Sequence, residues 1–324
     1  MAVRPIFVVG SPRTGTTMIG NYIGSAKSVL NAGEYRALYL AFGTLPLQLK
    51  GALTGLVPPA WEPYQAQYVR EVQQHAAQFI VRAAESAGCT AFCDSSPRNV
   101  LVGPTLAHLF PEALFVLTLR HYSGTIQSLQ RLGTIALLPG NEPGIDFVDP
   151  GAVAAAVLWN RHYQAALQLP RDRTVVFGYD GFCADPDAAL DRFKRALNGA
   201  RFPISELDDN VFATSHATLP GRPRAAVGHD SPSGPTLTRI PSYDAATWSP
   251  LTEFEVDPVV SATHAELRAR YPDDYGQPTG YPGRDALLRA LSTDPGPTEP
   301  GDVAESRGAG PTAHRSGPGD QPAP

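Results

Sequence analysis

Residues Pro5 to Gly10, Pro-Ile-Phe-Val-Val-Gly, are apolar throughout and run directly into Ser11-Pro-Arg-Thr-Gly-Thr-Thr17. A short apolar run without alternation reads as a parallel strand buried on both faces. Two glycines, Gly10 and Gly15, bracket the segment that follows, and a helix is expected from near Gly15. Strand, loop and helix in that order aim successive backbone N–H groups and the positive end of a helix at one spot, where an anion can sit. A strand of this kind also needs further strands beside it and helices above and below.

The rest of the chain supplies them. Residues 64–87 read as a long amphipathic helix ended by Gly88, 90–93 and 113–119 as short strands, and 99–109 as a helix stopped by Pro111. A further helix should begin near Tyr122, followed by a helix over 150–169, a strand over 174–178 and a helix over 187–197. Asp185 before Pro186 has the pattern of a helix cap, with proline at the first helical position. Strands alternating with helices imply right-handed βαβ units, hence a three-layer α/β fold with a mostly parallel sheet flanked by helices. Residues 133–150, rich in Gly and Pro, read as a loop with the character of a lid. Residues 1–290 are read as one domain. Residues 291–324 are read as a disordered tail, because they carry almost no large apolar side chains.

Composition narrows the function. Of the 324 residues 43% are hydrophobic, enough for a large core, while the net charge of −5 argues against a partner such as duplex nucleic acid. Cys89, Cys93 and Cys183 are too few and too irregular for a disulfide framework or a four-ligand zinc site, so free thiols in a reducing cytoplasm and no metal are expected. No stretch approaches the roughly 20 apolar residues that span a bilayer, and the N-terminal run does not fit a signal peptide, so no membrane association is expected.

The loop keeps the two glycines of the phosphate-binding pattern G-x-x-x-x-G-K-[ST], giving a P-loop-like nucleotide-binding fold. Thr16 stands at the lysine position, however, and Arg13 supplies the cation from inside the loop. That weakens a kinase or nucleotidase reading, since nucleoside triphosphates call on that lysine for the β- and γ-phosphates. A second anion site is suggested where Leu117-Thr-Leu-Arg120 ends a strand and Ser128 follows on a helix. Arginine suits phosphate because its planar fork donates two parallel hydrogen bonds. Two such strand ends in one parallel sheet would both lie at its carboxyl edge.

Ser11-Pro-Arg-Thr-Gly-Thr-Thr17 resembles the 5′-phosphosulfate loop of sulfotransferases that use 3′-phosphoadenosine 5′-phosphosulfate (PAPS), and Arg120 with Ser128 is similar to that family's 3′-phosphate motif. Residues 175–186 look like the strand, turn and helix start that bacterial members carry next. The resemblance covers about residues 4–225 and implies PAPS as co-substrate. It assigns Ser11, Pro12, Arg13, Thr14, Gly15, Thr16 and Thr17 to the cofactor loop, where Arg13, Gly15, Thr16 and Thr17 would hold the 5′-phosphate with Arg13 near the bridging oxygen, and Arg120 and Ser128 to the 3′-phosphate. Gly221-Arg-Pro-Arg224 resembles a late basic loop of the family, which would add Arg222.

Sulfuryl transfer to a hydroxyl also needs a base. Asn31-Ala-Gly-Glu-Tyr-Arg36 resembles the Gly-Glu-x-Arg segment of tyrosylprotein-type sulfotransferases, whose glutamate is the base, so Glu34 is the candidate, with Arg36 orienting it or touching the acceptor. His108, His121 and His162 are rival bases. Where related enzymes carry a lysine before a Pro-containing turn, this chain has Ser95 in Asp94-Ser-Ser-Pro-Arg98, leaving Arg13 to act alone, Arg98 to enter the site, or a different donor or reaction. The expected activity is O-sulfation of a small-molecule or glycan hydroxyl, with the acceptor in specialised metabolism. A P-loop kinase or nucleotidase and a non-catalytic nucleotide-binding module are the alternatives.

Overall fold

The computed structural model describes residues 3–46, 62–131, 151–209, 211 and 243–292. Strands β1 (Arg4–Gly10), β2 (Val29–Asn31), β3 (Ala91–Asp94), β4 (Leu114–Leu119) and β5 (Thr174–Gly178) form one sheet in the order β2-β3-β1-β4-β5, with every pairing parallel. The helices are α1 (Thr16–Ile23), α2 (Glu62–Ser86), α3 (Gly103–Leu109), α4 (Tyr122–Arg131), α5 (Ala152–Ala166), α6 (Tyr179–Ala184), α7 (Pro186–Gly199), α8 (Pro250–Arg270) and α9 (Arg284–Ser292). Helical turns run over Ala37–Tyr39, Leu40–Thr44 and Pro97–Val102.

The apolar strands bury both faces, as their composition requires. Ile6 and Val8 of β1 join Leu114 and Val116 of β4 in one cluster with α1 and α7. Phe7 and Val9 join Phe115, Leu117 and Leu119 in a second cluster with α2, α4, α5 and α8. Ile6, Phe7 and Phe115 are completely buried, and each side chain of this kind contributes roughly 1.5–3 kcal/mol. Helix, sheet and helix therefore form the three layers expected.

Several boundaries differ from the sequence reading. Strand β2 was not foreseen: it is a three-residue edge strand paired only with β3, too short to show a period. The helix expected over 99–109 is a 3₁₀ turn at Pro97–Val102 followed by α3. Asp185 does cap α7, its Oδ1 accepting from the Ala188 N–H at 3.1 Å. Residues beyond 225, outside the span of the resemblance, include α8 and α9. Helix α8 is capped by Ser249, whose Oγ accepts from the Thr252 N–H at 3.0 Å, and it buries Val256, Val260 and Leu267 in the cluster that holds α5. Helix α9 runs to Ser292 and so takes in the first residues of the expected tail. The expected loop at 133–150 and the tail beyond 292 lie outside the described residues.

Candidate functional site

Strand register decides where the candidate residues meet. Gly10 of β1 pairs with Thr118 of β4, and Thr118 and Leu119 pair with Phe177 and Gly178 of β5. The three strands thus end level, and the segments after them, Ser11–Gly15, Arg120–His121 and Tyr179–Asp180, emerge side by side at the carboxyl edge, where parallel α/β sheets bind ligands.

The loop is shaped by its own contacts. Gly10 has φ 154°, and a Cβ there would lie 2.6 Å from Thr118 Oγ1 and 2.7 Å from the Thr118 carbonyl oxygen. Gly15 has φ 92°, and a Cβ would lie 2.9 Å from the Tyr179 ring. Thr14 Oγ1 donates to the Ser11 carbonyl at 2.7 Å and lies 2.7 Å from Thr118 Oγ1, so its hydroxyl is engaged inside the loop. Arg13 adopts φ 72°, an uncommon left-handed conformation for a side chain with a Cβ and a kind of strain that concentrates at functional sites. No side chain caps α1, which leaves its first-turn N–H groups facing the loop. Ser11 Oγ is buried, and among the described residues it has no hydrogen-bond partner. An uncapped helix start, a buried hydroxyl without a partner and a glycine turn together fit an anionic ligand such as a phosphate.

Arg120 ties the two motifs together. Its Nη1 donates to the Arg13 carbonyl at 2.8 Å, while Arg13 Nε donates to Ser128 Oγ at 3.2 Å. Its guanidinium stands 4.6 Å from the centre of the Tyr179 ring. The backbone around it is clamped: Tyr163 Oη accepts from the Arg120 N–H and donates to the Thr118 carbonyl, Trp159 Nε1 donates to the Arg120 carbonyl, and the His121 N–H donates to Asp180 Oδ2 at 2.6 Å. Thr118 lay inside the Leu117–Arg120 motif without a role, and Trp159, Tyr163, Tyr179 and Asp180 had no place in the sequence reading of the site. Tyr179 and Asp180 lay in a segment already singled out, directly after a strand, which was the signal available.

Glu34 reaches the same edge by a different route. The Ala32 N–H donates to the Cys93 carbonyl and the Ser95 N–H to the Gly33 carbonyl at 2.8 Å, so the chain leaving β2 is laid along the end of β3. Thr17 Oγ1 then lies 3.5 Å from Glu34 Oε1, and Arg36 Nη2 pairs with Glu34 Oε2 at 3.1 Å. Glu34 and Arg36 are both exposed. Ser95, at the position of the family's lysine, is buried against Gly20 of α1. Arg98 stands 5.9 Å from the centre of the Tyr39 ring.

The histidines differ in setting. His108 is exposed near the end of α3, on the side where β4 begins. His121 is buried with Nδ1 2.8 Å from Ser123 Oγ, and burial, with His264 and Arg268 nearby, holds it well below the usual histidine range. His162 is buried with Nδ1 2.8 Å from the Leu158 carbonyl oxygen, and burial lowers it to about 3. Arg222 lies outside the described residues. Among the described residues, no group of three or more His, Cys, Asp or Glu side chains could hold a metal ion. No helix among them is long and apolar enough to cross a membrane.

Asp94, which anchors the β3 turn, gives a pH signature. Its oxygens accept from the Ser96 N–H and from Asn99 Nδ2, both at 2.8 Å, yet burial outweighs these bonds and raises the carboxyl to about 6. A folded value above the unfolded one favours the protonated form, so its stabilisation is complete below about pH 4 and is lost as pH rises through about 6. Denaturant unfolding between pH 4 and 7 should show wild type losing roughly 1–3 kcal/mol relative to Asp94→Asn. The variant keeps an acceptor for Ser96, and Asn99 can turn its Oδ1, which has no partner among the described residues, toward the new amide. Parallel profiles for the two proteins would show that Asp94 does not titrate there.

A central parallel strand running into a glycine-bounded loop, with an arginine from the next strand locked beside it, defines an α/β protein of P-loop-like fold. The sulfotransferase family model matches residues 5–199, and the chain belongs to the sulfotransferase family. Among solved structures it is similar to the sulfotransferase domain from the curacin biosynthetic pathway, with 16% identity, a TM-score of 0.50, and coverage of 80% of this chain and 97% of that one. It is also similar to the sulfotransferase domain of the Synechococcus PCC 7002 olefin synthase, with 19% identity, a TM-score of 0.41 and coverage of 74% and 93%. Sulfotransferase STF9 from Mycobacterium avium shares 16% identity and a TM-score of 0.43, with coverage of 85% and 78%. No curated protein matches the chain.

Proposed function

We propose that this sulfotransferase takes the sulfuryl group of PAPS and transfers it to a hydroxyl of a small-molecule or glycan acceptor, a specialised metabolite among them, in the cytoplasm. The observation that carries this reading is the contact between the motifs: Arg120 donates to the Arg13 carbonyl and Arg13 donates to Ser128, so two anion-binding elements meet at one strand edge. PAPS carries two separated phosphate groups and supplies the sulfuryl group to be transferred. In this reading Arg13 and the N–H groups of Gly15, Thr16 and Thr17 hold the 5′-phosphate, and Arg120 and Ser128 hold the 3′-phosphate. Preorganised donors and a guanidinium there act most strongly as negative charge grows on the departing phosphate.

Glu34 accepts the proton of the acceptor hydroxyl, and the Thr17 hydroxyl and Arg36 hold its two oxygens apart and in place. Arg98 and Arg36 are the basic groups proposed for the acceptor side, and Ser95 leaves Arg13 as the cation beside the transferred group. Free Cys89, Cys93 and Cys183 accord with a reducing compartment. Calorimetric titration with adenosine 3′,5′-bisphosphate, ATP and GTP, with and without Mg²⁺, tests the donor. Tight binding of the bisphosphate without the metal is expected. Tight Mg²⁺-dependent ATP binding in its place would sink the PAPS reading and favour a kinase.

A further inference from the structure

Helix α4, which carries Ser128, is fastened from behind by residues distant in sequence. Tyr122, its first residue, donates from Oη to Glu253 Oε1 at 2.6 Å, and its oxygen lies 2.7 Å from Tyr281 Oη. Trp248 Nε1 donates to Glu253 Oε2 at 2.9 Å. Further along α4, Gln127 Nε2 donates to the Asp244 carbonyl at 2.6 Å, its Oε1 accepts from the Asp244 N–H at 2.9 Å, and Arg131 pairs with Asp244 at 2.8 Å.

Glu253 and Tyr122 are completely buried, and both carboxylate oxygens are met by neutral donors. An apolar group of similar size would fill this space at lower desolvation cost. What a satisfied buried polar network supplies instead is a single allowed position. Tyr122 lies two residues beyond Arg120, and His121 between them is held by Asp180. Arg120, His121 and Tyr122 are thus each secured by a different part of the chain, and the orientation of α4 sets the distance from Arg120 to Ser128.

We propose that Tyr122, Glu253 and Trp248 are positioning residues for the 3′-phosphate, giving the segment 243–292 a part in discriminating the donor nucleotide. The proposal rests on the PAPS reading. A small rotation of α4 would move Ser128 away from Arg120 and from Arg13 Nε, while the Arg13 carbonyl keeps its bond from Arg120, so a ligand with a 3′-phosphate should feel it more than one without.

The test compares adenosine 3′,5′-bisphosphate with adenosine 5′-monophosphate in calorimetric titrations of the full chain. Wild type should prefer the bisphosphate. Tyr122→Phe should weaken the bisphosphate roughly tenfold while changing the monophosphate by less than about twofold, the loss expected when bonds to a charged group are misaligned. Phe193→Leu, in the opposite apolar cluster, should lower thermal stability and leave the ratio of affinities unchanged. Tyr281→Phe removes one outer hydrogen bond and should shift the ratio in the same direction by less, which keeps the test open if Tyr122→Phe fails to fold. An unchanged ratio in the folded variants, with wild type still preferring the bisphosphate, overturns the positioning role alone. A wild type without that preference overturns the donor reading and this proposal with it.

Discussion

Turnover by Glu34→Gln should fall by roughly 10²–10⁴-fold, the size of a general-base contribution, while affinity for adenosine 3′,5′-bisphosphate stays near that of wild type. Glutamine preserves the shape and can still accept from Thr17, but it cannot take a proton. Folding should be little affected, because the pair lost with Arg36 is exposed and such pairs contribute about 0–1 kcal/mol. The deficit should shrink for an acidic phenol, which releases its proton more readily than an alcohol. Steady-state rates on both acceptor types check this. Near-normal turnover would move the role to a histidine, with His121 and His162 next, although each would first have to be reached through the packing that buries it.

Arg120→Ala should weaken adenosine 3′,5′-bisphosphate binding by about 1.5–3 kcal/mol, roughly 10–150-fold, the scale of a lost charge-assisted hydrogen bond. Two losses combine: the guanidinium proposed for the 3′-phosphate, and the bond that holds the Arg13 carbonyl in the loop. Tyr179 would lose the cation on its face as well. Arg120→Lys should recover only part of the affinity, because an ammonium lacks the planar fork that serves Tyr179, Arg13 and a phosphate together. Dissociation constants measured by calorimetry decide the matter. An unchanged constant in Arg120→Ala would remove this residue from the site.

The central strands were legible because burial on both faces leaves a mark that needs no context. Residues 5–10, 113–119 and 174–178 are short, apolar and rich in β-branched and aromatic side chains, which favours strands of a covered sheet over buried helix. Strand β2 carries no such mark, since Val29–Asn31 is defined by its pairing with β3. Helix α8 was missed although Ser249 before Pro250 repeats the signal read correctly at Asp185 and Pro186. Its buried residues, Glu253, Val256, Val260, Thr263 and Leu267, include a carboxylate, and Pro258 stands inside the helix, so no clean apolar stripe shows. At the candidate site, the glycine-bounded loop and the pair Arg120 and Ser128 could be picked out locally as candidates. The clamps around Arg120 could not, because Trp159 and Tyr163 meet Arg120, and Asp180 meets His121, only through the fold, and neither could the contact from Arg13 to Ser128.

The middle position of β1 in the sheet has a consequence for how the protein is made. Arg4 pairs with Ala91 and Gly10 with Thr118, so neither side of this strand has a partner until long stretches that follow it have been synthesised. Non-local pairing of this kind folds slowly and leaves apolar strands exposed meanwhile. A nascent chain that stops short of β4 holds the loop sequence without Thr118 to shape it, and offers bare apolar backbone instead. Such truncated chains should be clients of chaperones, and the loop should take its folded shape late in synthesis, after β4 and the helices that clamp it have left the ribosome.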